Sequence, residues 1–151
     1  FFFKQKTAYE ISTRDWSSDV CSSDLSAWVE SLERWSSGPP MEITWLAGEV
    51  EGDRLESLPE KWRTSPHRLV RQQTLAEVFR ILRQADLYLG HDSGISHLAA
   101  WAGARCGLLF GPTEPKIWAP PGDRVKTWHQ GGRWPEPGEW AEWLRGLLGK
   151  G

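Results

Sequence analysis

Leu87-Tyr88-Leu89-Gly90-His91-Asp92-Ser93-Gly94-Ile95-Ser96-His97 is the stretch that decides the fold class. Asp86 to Gly90 reads as a strand, with an apolar run bounded by a polar residue and a glycine. His91 to Gly94 reads as a turn. A helix start near Ser93 or Gly94 leads into a short, Ala-rich helix over 96–102. A strand that passes through a tight turn into a helix is the repeating unit of α/β proteins.

Working outward, the same alternation recurs. Downstream, Cys106 to Phe110 is an apolar strand closed by Gly111-Pro112-Thr113, and a Pro-rich loop follows. Arg124 to Trp128 reads as a last strand and Pro137 to Leu148 as a last helix. Upstream, Thr74 caps a helix with Leu75, Val78, Phe79 and Leu82 on one face. Glu77 lies three residues after the cap, so Thr74 and Glu77 form a capping box. His67 to Arg71 holds a short strand, residues 52–62 are polar with helical character, and Glu42 to Ala47 is a strand. Ser26 caps an earlier helix, with Val29, Leu32 and Trp35 as its stripe, broken at Ser36-Ser37-Gly38-Pro39-Pro40. Most strands are continuous apolar runs, as strands buried on both faces should be. The order predicts a doubly wound, Rossmann-like parallel sheet.

Composition narrows the function. The chain has 151 residues, enough for one domain with its own core. Lys plus Arg is 18 and Asp plus Glu is 20, a balance that argues against a nucleic-acid surface. No apolar run approaches the roughly 20 residues that span a bilayer. The two cysteines, Cys21 and Cys106, supply neither a disulfide framework nor a four-cysteine zinc site.

Phe1 to Leu25 (FFFKQKTAYEISTRDWSSDVCSSDL) stands apart. It has no helical or strand period, and FFF with its trailing lysines is not a signal peptide. The stretch resembles a translated sequencing-library adapter. Two adapter pieces back-translate onto Phe1 to Ile11 and Asp15 to Leu25, with a barcode-sized gap between them. Residues 1–25 are therefore expected to be disordered and foreign to the fold, and 26–151 to be a partial domain from a truncated gene. Cys106 is then the one cysteine of that domain, expected to be a buried small hydrophobe.

In open parallel sheets, ligands bind beyond the carboxyl ends of the strands, where helix N-termini point. At 87–97, free N–H groups at the helix start form an anion site favoured by the helix dipole. Gly94 lets a phosphate approach the backbone, and Ser93 adds a hydroxyl donor. His97, one turn on, reaches the same ligand. Asp92 accepts from sugar hydroxyls. An ordinary N-cap with a packing histidine fits the same residues, and spacing alone favours it. Asp92-Ser93-Gly94 is similar to the Gly-Asp-Ser-Gly of chymotrypsin-like proteases, but those are β-barrels. His91-Asp92-Ser93-Gly94-Ile95 does not match the Gly-x-Ser-x-Gly of a nucleophile elbow. His91, Asp92 and His97 make a poor metal set.

With its flanks, the motif changes meaning. Thr74 to Ala119 resembles the C-terminal half of glycosyltransferase family 9, the ADP-heptose:lipopolysaccharide heptosyltransferases. The resemblance runs without a gap through Thr74-Leu75-Ala76-Glu77, Ala85-Asp86, Gly90-His91-Asp92-Ser93-Gly94 and His97-Leu98-Ala99-Ala100. It continues through Gly103, Leu109-Phe110-Gly111-Pro112-Thr113, Pro115 and Trp118-Ala119-Pro120. Upstream, Leu46-Ala47-Gly48-Glu49-Val50-Glu51 is similar to a family turn, with Ala47 in place of its first glycine.

The resemblance implies the C-terminal half of a GT-B fold, which holds a nucleotide-sugar donor, ADP-heptose in this family. It assigns Asp92, Ser93, Gly94 and His97 to the donor diphosphate and sugar, and Glu51 to the ribose hydroxyls. It implies an inverting transferase with no cofactor and no catalytic metal. Protein dipoles would stabilise the leaving diphosphate. The acceptor would be a lipid-linked saccharide held by a domain absent from this sequence. The setting would be cytoplasmic, at the inner-membrane face of a Gram-negative bacterium, with peripheral membrane association. The family's general base belongs to the absent domain, so no residue here is assigned to catalysis and the chain alone is expected to be inactive. A non-catalytic donor-binding module, a hydrolase using Ser93 and His97, and a nucleotide-sugar epimerase of the same superfold are the alternatives.

Among the aromatics, Trp140 and Trp143 are expected to pack the last helix on the sheet, and Trp118 is a candidate for the cleft. Arg80 and Arg83 read as solvated helix charges, and Lys116 as a cation near the cleft rim.

Overall fold

The computed structural model describes residues 42–47 and 58–147, and the backbone of 2–3, 6–10 and 148. The helix expected from Ser26 and the turn carrying Glu51 lie outside the described residues. The strands are β1 (Phe2–Phe3), β2 (Lys6–Glu10), β3 (Glu42–Ala47), β4 (Arg68–Arg71), β5 (Leu87–His91), β6 (Arg105–Phe110) and β7 (Val125–His129). The helices are α1 (Leu75–Arg83), α2 (Gly94–Trp101), α3 (Pro115–Trp118) and α4 (Pro137–Leu148), with a 3-10 turn at Glu60–Trp62.

The sheet runs β4-β3-β2-β5-β6-β7, and every pairing along it is parallel. β1 pairs antiparallel with β2. The doubly wound reading is therefore correct. The chain departs from β2 toward β3 and β4 on one side and toward β5, β6 and β7 on the other. The order reverses between β2 and β5, which places the topological switch point beside the carboxyl end of β5.

Residues 1–25 include two strands among the described residues, Phe2–Phe3 and Lys6–Glu10, and Lys6–Glu10 lies in the middle of the sheet. Lys6 pairs with Glu42 and Glu10 with Leu46 on one side, and Thr7, Ala8 and Tyr9 pair with Leu87, Tyr88 and Leu89 on the other. The physical reason is the gap between β3 and β5. Each presents N–H and C=O groups that must be paired once water is excluded, and an extended segment supplies the partners.

Strand periodicity divides the core in two. Ile43, Trp45, Leu87, Leu89 and Leu109 point to one face, under Trp62, Trp140, Leu144 and Leu147. Leu46, Tyr88, Cys106, Leu108 and Phe110 point to the other, under Val78 and Leu82 of α1 and Ala99 of α2. This is the two-faced burial that continuous apolar strands require. Cys106 is buried, and burial pushes its thiol up to about 12, so it remains a protonated core residue. Trp140 is buried with its ring 5.1 Å from that of Trp143. Arg133 holds the start of α4 through two 2.7 Å bonds to the Glu139 carboxylate, its guanidinium 5.5 Å from the centre of the Trp128 ring.

Thr74 and Glu77 form the capping box of α1 as the sequence predicts. The helix face differs from expectation at two places. Val78 and Leu82 are buried, but Leu75 is 69% exposed in the first turn, beyond the edge of the core. Phe79 is half-buried and meets Trp101 of α2 at 5.3 Å. No described helix is long and apolar enough to cross a membrane.

Candidate functional site

β5 ends at His91, and Ser93 is the N-cap of α2, with extended backbone and an oxygen that accepts from Ser96 N–H. Two residues separate strand from helix, so the first N–H groups of α2 open at the carboxyl end of the sheet, next to the switch point. That is where an anion meets both backbone donors and the helix dipole.

Four of the five predicted residues sit together around this turn, and Glu51 lies outside the described residues. Gly94 is exposed at the first position of α2, and space is open where its side chain would be. Asp92 is half-buried in the turn, and Ser93 is buried. His97 is exposed one turn along, but its ring is committed. Its Nε2 lies 3.1 Å from the carbonyl oxygen of Trp118. A carbonyl only accepts, so Nε2 carries a proton and Nδ1 remains for other partners. Ser93 bonds to Ser96 and His97 to Trp118, so the two are not joined as nucleophile and base. That arrangement does not support a serine hydrolase.

Beneath the turn lies a chain of hydroxyls that the sequence reading missed. The Ser96 hydroxyl donates to the His91 carbonyl at 2.5 Å and lies 3.1 Å from Ser93 Oγ and 3.2 Å from Tyr88 OH. Tyr88 is fully buried, two residues before Gly90 on the same face of β5. A methyl group at position 90 would lie 2.5 Å from the Tyr88 hydroxyl, so glycine is needed for the ring to reach Ser96. That Tyr-x-Gly spacing in a buried strand was the available signal.

On the opposite face, His91 is buried edge-on to Trp134, with ring centroids 5.7 Å apart. Trp134 also covers Gly111, where an added Cβ would stand 2.6 Å from the indole. Desolvation lowers the His91 pKa to about 4, so it is a neutral wall of the site.

The loop after β6 completes the rim. Glu114 caps α3, accepting from Lys116 N–H. Sequence reading took this segment as loop, and the structure has a single helical turn. Trp118 contributes its carbonyl to His97, and its side chain is 54% exposed. Lys116 is exposed on the same turn. Arg80 and Arg83 lie on the exposed side of α1, as expected. A cavity of about 730 Å³ lies at the amino ends of β5, β6 and β7, opposite this site, and includes none of its residues.

A doubly wound parallel sheet with a helix start at its switch point is a Rossmann-like α/β unit, the form of one half of a GT-B fold. The sequence profile of glycosyltransferase family 9 (heptosyltransferase) matches residues 40–139, well over half of the chain. The chain belongs to that family.

Solved structures agree on the fold. E. coli heptosyltransferase WaaC with ADP superimposes with a TM-score of 0.72 at 22% identity, over 95% of this chain and 43% of that one. E. coli ADP-heptose lps heptosyltransferase II gives 0.69 at 16% identity, over 94% of this chain and 46% of that one. The UDP-GlcNAc 2-epimerase from Methanocaldococcus jannaschii gives 0.61 at 15% identity, over 96% of this chain and 45% of that one. The chain thus spans under half the length of these proteins. No curated protein matches it at the level of sequence.

Proposed function

We propose that this chain is the donor-binding part of a transferase that moves a heptose from ADP-heptose to a lipopolysaccharide-core saccharide. The observation that carries the reading is the start of α2 at the switch point, with Asp92, Ser93, Gly94 and His97 gathered around it. The backbone N–H groups of α2 take the diphosphate, and Gly94 lets it approach closely. Asp92 accepts from sugar hydroxyls. His97, held by the Trp118 carbonyl, presents Nδ1 to the donor. Glu51 is proposed as the ribose contact on the strength of the family resemblance alone.

Transfer with inversion and without a metal would follow the family. The departing diphosphate would be stabilised by α2 rather than by a cation. The general base and the lipid-linked acceptor would belong to a further domain, at the cytoplasmic face of a Gram-negative inner membrane. For this chain alone, binding without turnover is the expected behaviour. The family resemblance and the solved heptosyltransferase with ADP support ADP over other nucleotides.

Isothermal titration of the chain with ADP, ADP-heptose and UDP-GlcNAc tests the reading. ADP and ADP-heptose should bind, and Asp92→Asn should weaken ADP-heptose more than ADP. Preference for UDP-GlcNAc would replace heptose transfer with epimerase-type chemistry.

A further inference from the structure

The hydroxyl chain under the turn has a direction. Ser96 has one hydroxyl proton, and the His91 carbonyl, which can only accept, takes it at 2.5 Å. The Ser93 and Tyr88 hydroxyls therefore both reach Ser96 Oγ as donors, at 3.1 and 3.2 Å. Ser93 Oγ in turn accepts from Ser96 N–H. In this state the Ser93 proton points inward, away from the open end of α2. An anion there draws that proton outward. When Ser93 turns, Ser96 Oγ is a buried acceptor that must keep a donor, because leaving it without one is costly.

We propose that Tyr88 is the positioning residue that lets Ser93 offer its proton to the diphosphate of a bound nucleotide. The Tyr88 hydroxyl stays on Ser96 Oγ while Ser93 turns. Tyr88 is buried beneath α2 and acts through Ser93. The inference rests on the reading of this turn as the donor site and adds a residue that reading does not contain.

A double-mutant cycle measured by titration tests it, with ADP as the probe and adenosine as the diphosphate-free control. Tyr88→Phe should weaken ADP by about fivefold, the size of one net hydrogen bond, and leave adenosine unchanged. Ser93→Ala should weaken ADP similarly. The double variant should be no weaker than Ser93→Ala alone, because without a Ser93 proton Tyr88 has nothing to replace. If Tyr88→Phe does not fold, as judged by circular dichroism, Ser96→Ala probes the same chain from the other end. It removes the acceptor that holds the Ser93 proton inward, so ADP should bind at least as tightly as to the unaltered chain. Additive losses in the cycle, equal losses of ADP and adenosine, or weaker ADP binding by Ser96→Ala would overturn the role of Tyr88 while leaving the donor site standing. Absence of ADP binding by the unaltered chain would overturn the donor site itself, and this inference with it.

Discussion

His91 shows how one buried side chain makes the stability of the fold depend on pH. It sits at the end of β5, buried against Trp134, and burial holds its pKa at about 4 against an ordinary 6.5. The folded state therefore binds its proton later than the unfolded state does. Above about 6.5 both states are neutral and the full stability is present. As pH falls from 6.5 toward 4, the unfolded chain gains a proton that the folded chain refuses, so stability drops; below 4 the loss levels off. The effect is about 3 kcal/mol at most. His67 is shifted in the same direction by its own burial and adds to the slope. Urea melts between pH 7 and pH 4 should show this fall, and His91→Asn should flatten much of it. An unchanged slope in that variant would place the titration elsewhere. At this scale the sequence was only partly legible. Asp92, Ser93, Gly94 and His97 were readable because local spacing brings them together. The partners of His97 and Ser96 were not, because the Trp118 carbonyl comes from 21 residues away and Tyr88 from the strand beneath.

Elements were read best where their signals are local. β3 and α4 have the expected limits, Glu42–Ala47 and Pro137–Leu148. β5, β6 and β7 are offset by a residue at one or both ends. The cap of α1 was predicted outright, since Thr74 and Glu77 need only each other. Its apolar face was over-read. Leu75 has helical phase with Val78 and Leu82, but phase says nothing about where the sheet stops. α3 was missed because four residues hold no period, although the capping Glu114 and Pro115 at the first turn were visible. The cap of α1 gives a direct check. In Thr74→Ala the side chain no longer accepts from Glu77 N–H, and Glu77 loses its hydroxyl partner. The chain should lose about 1 kcal/mol in denaturant melts, with nucleotide affinity unchanged, since the cap of α1 follows β4 at the edge of the sheet, three strands from β5. A change in ADP binding of the same size would mean that α1 and the site are coupled.

The strand at Lys6–Glu10 governs the whole molecule, because it joins two halves of a sheet. Without it β3 and β4 form one ribbon, β5, β6 and β7 another, and their inner edges lie open. The residues of this strand resemble translated adapter and carry no amphipathic pattern, and only the unfilled place between β3 and β5 makes sense of their position. Backbone pairing is indifferent to the origin of a segment, so a stretch foreign to the fold can still complete a ladder. Proline at position 8 tests this. Ala8 pairs with Tyr88 inside the sheet, and proline there deletes a ladder donor where no edge can accommodate it. Ala8→Pro should destabilise the chain by about 2–3 kcal/mol, and removal of residues 1–25 should abolish cooperative unfolding and promote aggregation through the exposed edges. An unchanged melt in both would mean that the segment does not hold the halves together. Source DNA amplified across the Leu25–Ser26 junction should carry other codons upstream. A strand encoded there, placed in the same gap, should raise the melting temperature above that of the chain with Lys6–Glu10, because its side chains would match both faces of the core as well as its ladder.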